Sequence, residues 1–273
     1  MYRREKTIVN SDPTFVNAFG VLLLGALVFG LAACGQMPDR DAIRPVSREE
    51  TPWWAERHQK KLQEIRRGKV DIVFIGDSIT HNYEFSSTSP QYDFLSVWNR
   101  YYGGRSAVNL GFNGDSTANV LWRLDHGEID GLNAKVAMVL IGTNDTIQGK
   151  TMQQTAAGID QVVATIQRRL PATKILLLGI LPSAGAPSKQ AADRAVNAYL
   201  ADKYAASNFV TFIDVGHVFL KDSAVDASLF MDPRADPSAP ALHPDAYAQA
   251  RMAEAIEPIL ARLLGEPGRP GAN

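Results

Sequence analysis

The chain has 273 residues, of which 45% are hydrophobic and 21% are charged, and its formal net charge at pH 7 is -1. This composition is typical of an ordinary globular protein that can bury a full core in one large domain. Near-neutral charge without a Lys/Arg cluster argues against nucleic acid as a partner, because such binding depends on neutralising phosphates. The five histidines are scattered and there is one cysteine, so the spacing predicts no metal site.

The first 33 residues have the order of regions that is typical of an export signal. Arg3, Arg4 and Lys6 precede an apolar and uncharged stretch over residues 15–33, which ends in small residues before Cys34. The alternative is a membrane-spanning helix, because roughly 17 to 25 apolar residues suffice to cross a bilayer. We predict that residues 1–33 are a signal peptide.

Residues 31–34, LAAC, resemble the lipobox of bacterial lipoproteins. The resemblance implies that Cys34 is lipidated and becomes the mature N-terminus, which would hold the exported protein on a membrane surface without spanning it. Gly35 after the cysteine resembles the sorting signal for the outer membrane, so we expect the protein to face the periplasm or the cell surface.

The rest of the chain divides into a tether, a folded domain and a short tail. Residues 34–50 combine prolines and charges with few apolar side chains, which predicts a lipidated cysteine followed by a flexible tether. Residues 51–265 form the predicted domain. Residues 266–273 contain two prolines and two glycines, which predicts a disordered tail.

Strands and helices alternate regularly along the predicted domain. Apolar runs predict strands at residues 70–75, 107–112, 136–141, 175–181 and 210–215. Helical spacing of apolar residues predicts helices at 51–67, 117–124, 151–170, 189–206 and 247–264. Alternation of this kind predicts an α/β fold, a three-layer α/β/α sandwich with a five-stranded parallel sheet.

Four polar segments follow strands or precede the last helix. They are residues 76–78 (GDS), 109–116 (NLGFNGDS), 142–145 (GTND) and 242–244 (LHP). Each segment alone is compatible with a turn or a helix cap. Together they contain a serine nucleophile, a histidine with the pKa range of a general base, and glycine and asparagine groups that can donate to an oxyanion. This order of groups predicts an acyl-transfer site.

The four segments resemble blocks I, II, III and V of the SGNH or GDSL hydrolases. Residues 119–124, NVLWRL, further resemble the branch typified by the platelet-activating factor acetylhydrolase catalytic subunits. The resemblance implies a flavodoxin-like fold, no metal or organic cofactor, Ser78 as nucleophile and His243 as base. It also implies that the Ser78 N–H, the Gly114 N–H and the Asn144 side chain form the oxyanion hole.

The sequence departs from the family pattern at the residue that orients the histidine. The family usually has an aspartate three residues before the histidine, and this chain has Pro240 there. Asp232 or Asp236 can take that role from the preceding loop, a backbone carbonyl can leave a Ser-His dyad, or the enzyme is impaired. Nearer the predicted serine, we expect Asp77 and Asp115 to hold the loops in place.

The resemblance implies a serine esterase that hydrolyses short-chain or acetyl esters through an acyl-enzyme, and this is the function that we predict. A carbohydrate O-deacetylase with the same chemistry is the first alternative. A surface binding module that has lost turnover is the second, because Pro240 stands where an aspartate is expected. A phosphate or nucleotide binder is the least favoured, because the chain has no GxxxxGK[ST] run and Asp77, Asp115 and Asp145 would repel phosphate.

Overall fold

A computed structural model describes residues 43–267 of the chain. The predicted signal peptide, Cys34, most of the predicted tether and the last six residues lie outside this range. Within residues 43–267, the structure contains no helix that is both long and apolar enough to cross a bilayer.

Five parallel strands form one sheet in the order β2-β1-β3-β4-β5. They are β1 (Ile72–Gly76), β2 (Ala107–Gly111), β3 (Val136–Leu140), β4 (Lys174–Leu178) and β5 (Val210–Ile213). This is the flavodoxin-like order, in which the chain reverses its direction of winding between β1 and β3. The predicted five-stranded parallel sheet is confirmed, each strand lying within two residues of its predicted start.

Helices cover both faces of the sheet. The long ones are α1 (Pro52–Ile65), α3 (Phe94–Tyr101), α4 (Thr117–Asp125), α6 (Met152–Arg169), α7 (Pro187–Tyr204) and α9 (Ala246–Leu264). Three short ones follow strands or a late loop, α2 (Ser78–His81), α5 (Thr143–Ile147) and α8 (Asp232–Ala235), and a small hairpin consists of β6 (Leu220–Lys221) and β7 (Ala224–Val225).

Two apolar clusters separate the three layers. Successive side chains of a strand point to opposite faces, so Ile72 and Phe74 of β1 pack with α3 and α9, whereas Val73 and Ile75 pack with α1, α4, α6 and α7. All five residues of β1 are buried. The sheet is therefore covered on both sides, which explains why its strands have unbroken apolar sequences.

The segment before α1 packs on the domain instead of extending freely. The Val46 N–H donates to the Ala118 carbonyl over 3.0 Å, and the Asn119 side chain donates to the Val46 carbonyl over 3.0 Å. Residues 43–50 belong to the predicted tether, and these contacts fix its described end. At the other end of the domain, Glu266 of the predicted tail binds Arg105 over 2.9 Å.

Candidate active site

Ser78 lies at the carboxyl end of β1 and is the first residue of α2. Gly76 permits the close packing of this strand end against β3, because a Cβ there would come within 2.6 Å of the Leu140 carbonyl. The Asp77 carboxylate accepts from the Ile79 N–H over 3.0 Å and caps the short helix. The serine hydroxyl is consequently held at the edge of the sheet, where the loops after β1 and β3 diverge.

His243 binds both Ser78 and a carboxylate through its two ring nitrogens. Its Nε2 lies 3.0 Å from Ser78 Oγ, and its Nδ1 lies 2.7 Å from Asp232 Oδ1. The second carboxylate oxygen of Asp232 accepts from the backbone N–H groups of Leu242 and His243 over 2.9 and 2.5 Å. The three side chains form the continuous chain of contacts that nucleophilic catalysis by serine requires.

A short backbone pairing explains how Asp232 reaches a histidine eleven residues further along. Phe230 and Pro244 form an antiparallel bridge, and the Met231 N–H donates to the His243 carbonyl over 2.8 Å. The intervening loop leaves and returns at the same point, so its first and last residues lie side by side. The sequence left Asp232, Asp236 and a backbone carbonyl open, and the structure places Asp232 at the imidazole.

Asp236 has a different role in the same loop. Its carboxylate accepts from the backbone N–H and the hydroxyl of Ser238 over 2.9 and 2.7 Å, and the residue is exposed. It therefore shapes the loop locally and does not orient His243.

The electrostatics of Asp232 favour its ionised form. Burial acts to raise the pKa of this carboxyl, but hydrogen bonds from the His243 ring and from the N–H groups of His243 and Leu242 outweigh it, so the pKa lies below its ordinary value. An ionised Asp232 holds the Nδ1–H tautomer of His243 and leaves Nε2 to accept a proton from Ser78.

The three predicted oxyanion donors come from neighbouring strand ends. Gly76 pairs with Gly111 of β2 and with Leu140 of β3. Ser78, Gly114 and Asn144 lie two, three and four residues beyond these paired positions, so the sheet brings all three to one edge. Gly114 has a φ of 77°, a conformation that favours glycine.

Asn144 fixes the relation between two of these loops. Its side-chain amide donates to the Asp115 carbonyl over 2.8 Å, which ties α5 to the loop that carries Gly114. The amide nitrogen carries a second proton, which can serve an oxyanion.

A buried ionic network supports the Gly114 loop. Asp115 accepts from Arg123 over 2.8 Å, from Trp54 over 2.8 Å and from Arg48 over 2.9 Å. Arg123 is completely buried; it also binds Glu128 and donates to the Gly76 carbonyl. The guanidinium therefore connects the strand that precedes Ser78 with the loop that follows β2. Among residues 43–267, no His, Cys, Asp and Glu side chains group in a way that could hold a metal ion.

Comparison with known proteins identifies the family. Residues 74–251 match the model of the GDSL-like lipase/acylhydrolase family. The chain belongs to this family. The matched range covers most of the described domain, including every residue named above for the serine, its base and the oxyanion donors.

Curated relatives agree with this assignment. Platelet-activating factor acetylhydrolase IB subunit alpha2 of Rattus norvegicus is 33% identical over 135 residues, which are 50% of this chain and 54% of that protein. The match thus spans about half the length of that relative. Subunit alpha1 of Homo sapiens is 27% identical over 224 residues, 80% of this chain and 87% of that protein.

Among solved structures, a carbohydrate acetylesterase from Sinorhizobium meliloti has a TM-score of 0.51 at 19% identity, covering 71% of this chain and all of that one. A GDSL-like lipase from Bacteroides thetaiotaomicron has a TM-score of 0.54 at 16% identity, covering 77% of this chain and 96% of that one. At these identities the structural likeness shows the fold alone.

In this GDSL-like chain, the acids beside the site hold its loops, as the sequence predicts for Asp77 and Asp115. Asp145 adds a third example, because it accepts from the N–H and the hydroxyl of Thr117 over 2.9 and 2.7 Å and so fixes the start of α4. Burial raises the pKa of Asp77 to about 7, against the Ile79 hydrogen bond and the charge of His243. Its Oδ2 is buried and has no hydrogen-bond partner in the described part of the chain.

Sequence reasoning missed Arg48, which lies in the predicted tether of this GDSL-like protein. Its guanidinium donates to the Asn113 carbonyl and to Asp115, both over 2.9 Å, and lies over the ring of Trp53. No local pattern indicates this contact, because the two partners are more than 60 residues away.

His81 also contacts this loop. Burial and the charge of Arg57 lower its pKa to about 4, so the ring is neutral near pH 7 and its Nδ1 can accept from the Asn113 N–H over 3.3 Å.

Proposed function

We propose that the protein is a serine esterase that hydrolyses carboxylic esters, short-chain or acetyl esters above all, through an acyl-enzyme on Ser78. The observation that carries the proposal is the unbroken contact chain from Ser78 Oγ to His243 Nε2 and from His243 Nδ1 to Asp232. The family assignment supports it, because the family is one of acylhydrolases.

In the proposed reaction, Ser78 Oγ attacks the ester carbonyl carbon while its proton moves to His243 Nε2. Asp232 stabilises the imidazolium that results. The carbonyl oxygen becomes negative and accepts from the N–H groups of Ser78 and Gly114 and from the Asn144 side chain, a type of donor that contributes roughly 3 to 4 kcal/mol.

Breakdown of the tetrahedral intermediate releases the alcohol. His243 returns its proton to the leaving oxygen as the carbon–oxygen bond breaks, which leaves the acyl group on Ser78. Water then loses a proton to His243 and attacks the acyl carbon. The acid leaves, and Ser78 recovers its proton.

The test is release of p-nitrophenol from p-nitrophenyl acetate by the chain from residue 36 onward. The Ser78→Ala and His243→Ala variants should lose almost all turnover. A parent that is no faster than these two variants would contradict the esterase proposal. The matched control is Ser238→Ala, which changes a serine in the nearby loop that contacts Asp236 and not His243.

A carbohydrate O-deacetylase is the second candidate, with the same residues and another substrate. Two structural neighbours favour it by their names, the carbohydrate acetylesterase from Sinorhizobium meliloti and an acetyl-xylooligosaccharide esterase from Geobacillus, which has a TM-score of 0.51 and 18% identity and covers 74% of this chain and 99% of that one. Release of acetate from acetylated xylo-oligosaccharides, measured beside the p-nitrophenyl ester, separates the two candidates.

The binding-module alternative depended on Pro240 standing where the family has aspartate. Asp232 contacts His243 from another position, which removes that reason for expecting lost turnover. Under this alternative the Ser78→Ala variant would bind the substrate as the parent does and the parent would show no turnover.

We further propose that Cys34 is lipidated after export and anchors the domain to the outer membrane. The support is the basic, apolar and small-residue order of residues 1–34. The measurement is incorporation of labelled palmitate in cells, compared between the parent and Cys34→Ser. Equal label in both would overturn the proposal.

A further inference from the structure

A groove of about 750 Å³ lies at the carboxyl ends of β4 and β5. Its walls come from the loop after β4, the first turns of α7, and the segment from β5 to the β6-β7 hairpin. Ser78, Asn144 and His243 are not among the residues that line it. The carboxyl edge of a parallel sheet is where proteins with this topology bind ligands, so the groove has the position of a binding site.

The lining of the groove contains a buried hydroxyl without a hydrogen-bond partner in the described part of the chain. Ser183 is 2% exposed and lines the groove, and its Oγ makes no hydrogen bond to any other group within residues 43–267. An unpaired buried hydroxyl costs stability unless something satisfies it. A ligand with hydroxyl groups would supply the missing partner.

The charges around the groove balance one another. Asp193 is buried and pairs with Lys189 over 2.5 Å, while Arg194 and Asp214 line the groove with opposite charges. A balanced lining offers donors and acceptors together and gives no net attraction for phosphate or for a cation. It suits a neutral ligand that both donates and accepts hydrogen bonds.

The groove also has an apolar side. Pro182, Leu220 and Val225 line it, and Leu220 is 39% exposed. A lining that combines polar and aliphatic groups matches the two kinds of surface on a sugar ring, its hydroxyl rim and its C–H face. An acyl chain would satisfy only the apolar side and would leave Ser183 unpaired.

Two hydrogen bonds connect this groove to the segments that carry the proposed site. Asp193 accepts from the Thr146 hydroxyl over 2.7 Å, and Thr146 belongs to α5 with Asn144. The Ala184 N–H donates to the Ala241 carbonyl over 2.8 Å, two residues before His243. In the sheet, β4 is separated from β1 by β3 alone, which places the two strand ends about 10 Å apart.

We propose that this groove binds sugar units of an acylated oligo- or polysaccharide whose ester lies at Ser78. The inference rests on the proposed esterase function and specifies its substrate class. A substrate of several sugar units would reach from the groove to Ser78, so the groove would contribute affinity for the carbohydrate and take no part in bond breaking.

The test compares two substrates in two groove variants. Arg194→Ala combined with His217→Ala removes exposed polar groups from the lining, and Ala184→Trp fills the groove from an exposed position. We expect KM for chemically acetylated xylo-, manno- or gluco-oligosaccharides to rise about tenfold in the double variant, as for the loss of one or two hydrogen bonds, and by more than that in Ala184→Trp, because the indole occupies the groove. Values of kcat and KM for p-nitrophenyl acetate should stay unchanged. Arg66→Ala, an exposed arginine after α1, is the control.

A binding measurement keeps this result separate from catalysis. Calorimetry with the unacetylated oligosaccharides on the Ser78→Ala variant should show binding that Ala184→Trp removes. Unchanged KM and unchanged binding with all three sugars would overturn the groove assignment. A rise in KM for p-nitrophenyl octanoate in the groove variants, without a change for the sugars, would overturn it in favour of an acyl chain. A parent inactive on p-nitrophenyl acetate contradicts the esterase proposal instead.

Discussion

The imidazole of His243 is held at both ring nitrogens, and the carboxylate at Nδ1 comes from an unexpected position. Replacing Asp232 with Asn keeps the size of the side chain but removes the charge that stabilises the imidazolium and fixes the tautomer. We expect kcat for p-nitrophenyl acetate to fall by about 10²- to 10⁴-fold. The measurement is steady-state kinetics at pH 8 on folded protein.

Asp236→Asn is the matched control for that substitution. It changes the same residue type in the same loop, and its partners are the N–H and hydroxyl of Ser238. Its kcat should stay within a factor of about three of the parent, as expected for an exposed group away from the reacting atoms. Equal losses in the two variants would mean that the loop as a whole, and not the Asp232 charge, supports His243.

Asp77 makes folding stability depend on pH in a direction opposite to that of most carboxyls. Burial raises its pKa from 3.8 to about 7 in the folded protein. Between these values the folded protein keeps a proton that the unfolded chain has lost, so the contribution of Asp77 to stability falls as pH rises from about 4 to about 7. Above pH 7 the folded protein holds a buried carboxylate with one unpaired oxygen.

Asp77→Asn removes this titration while its amide oxygen can still accept from the Ile79 N–H. The free energy of unfolding of the variant, relative to the parent, should rise by about 2 to 3 kcal/mol between pH 5 and pH 8. Urea unfolding at both pH values measures it. A difference between variant and parent that does not change with pH would refute a neutral Asp77 in the folded protein.

The residues of the site differ in how far the sequence reveals them. Ser78, Gly114 and Asn144 each follow a strand that an apolar run predicts, so their convergence follows from the parallel sheet. Asp232 could be named only as one of three possibilities, because its contact depends on the pairing of Phe230 with Pro244 across the loop. The contacts of Arg48 could not be predicted, since its partners are distant in sequence.

At the scale of elements, Arg123 on α4 connects the first two strands to the Gly114 loop. Arg123→Met would leave Asp115 and Glu128 buried without their main cation. We expect a loss of about 3 to 5 kcal/mol in the free energy of unfolding. Urea unfolding at pH 7 measures this loss.

Arg169→Met, on the neighbouring helix α6, provides the comparison. Arg169 binds Asp125 and Asp130 with 30% of its side chain exposed, so its loss should cost about 1 kcal/mol or less. If both variants lost the same small amount, the buried network would not be a main support of the domain.

The helices and strands that sequence predicts best are those with long apolar patterns. Helices α6 and α9 match their predicted ranges within one residue at each end. The pattern did not reveal α3, which has eight residues, or the β6-β7 hairpin, whose strands have two residues each. Elements this short depend on packing against the rest of the domain. The spacing of their apolar residues extends over too few positions to predict a helix or a strand.

At the scale of the whole molecule, the first described residues belong to the folded unit. Two apolar clusters share one sheet, so the domain should unfold in a single transition. Val46 and Arg48 add hydrogen bonds to the first turn of α4 and to the Gly114 loop, so residues before position 51 contribute contacts to the domain.

Two truncated chains test this boundary. A chain of residues 43–267 should melt at the temperature of the longer chain from residue 36. A chain of residues 52–267 lacks the Val46 and Arg48 contacts and should lose about 2 kcal/mol, which lowers Tm by about 4 to 8 °C. In the longer chain, Arg48→Gln should reproduce part of the decrease and slow p-nitrophenyl acetate hydrolysis, because Asp115 and the Asn113 carbonyl lose a donor beside Gly114. Arg44→Gln, an exposed arginine of the same segment, should do neither. Equal melting temperatures for the two truncated chains would show that residues 43–51 are a tether after all.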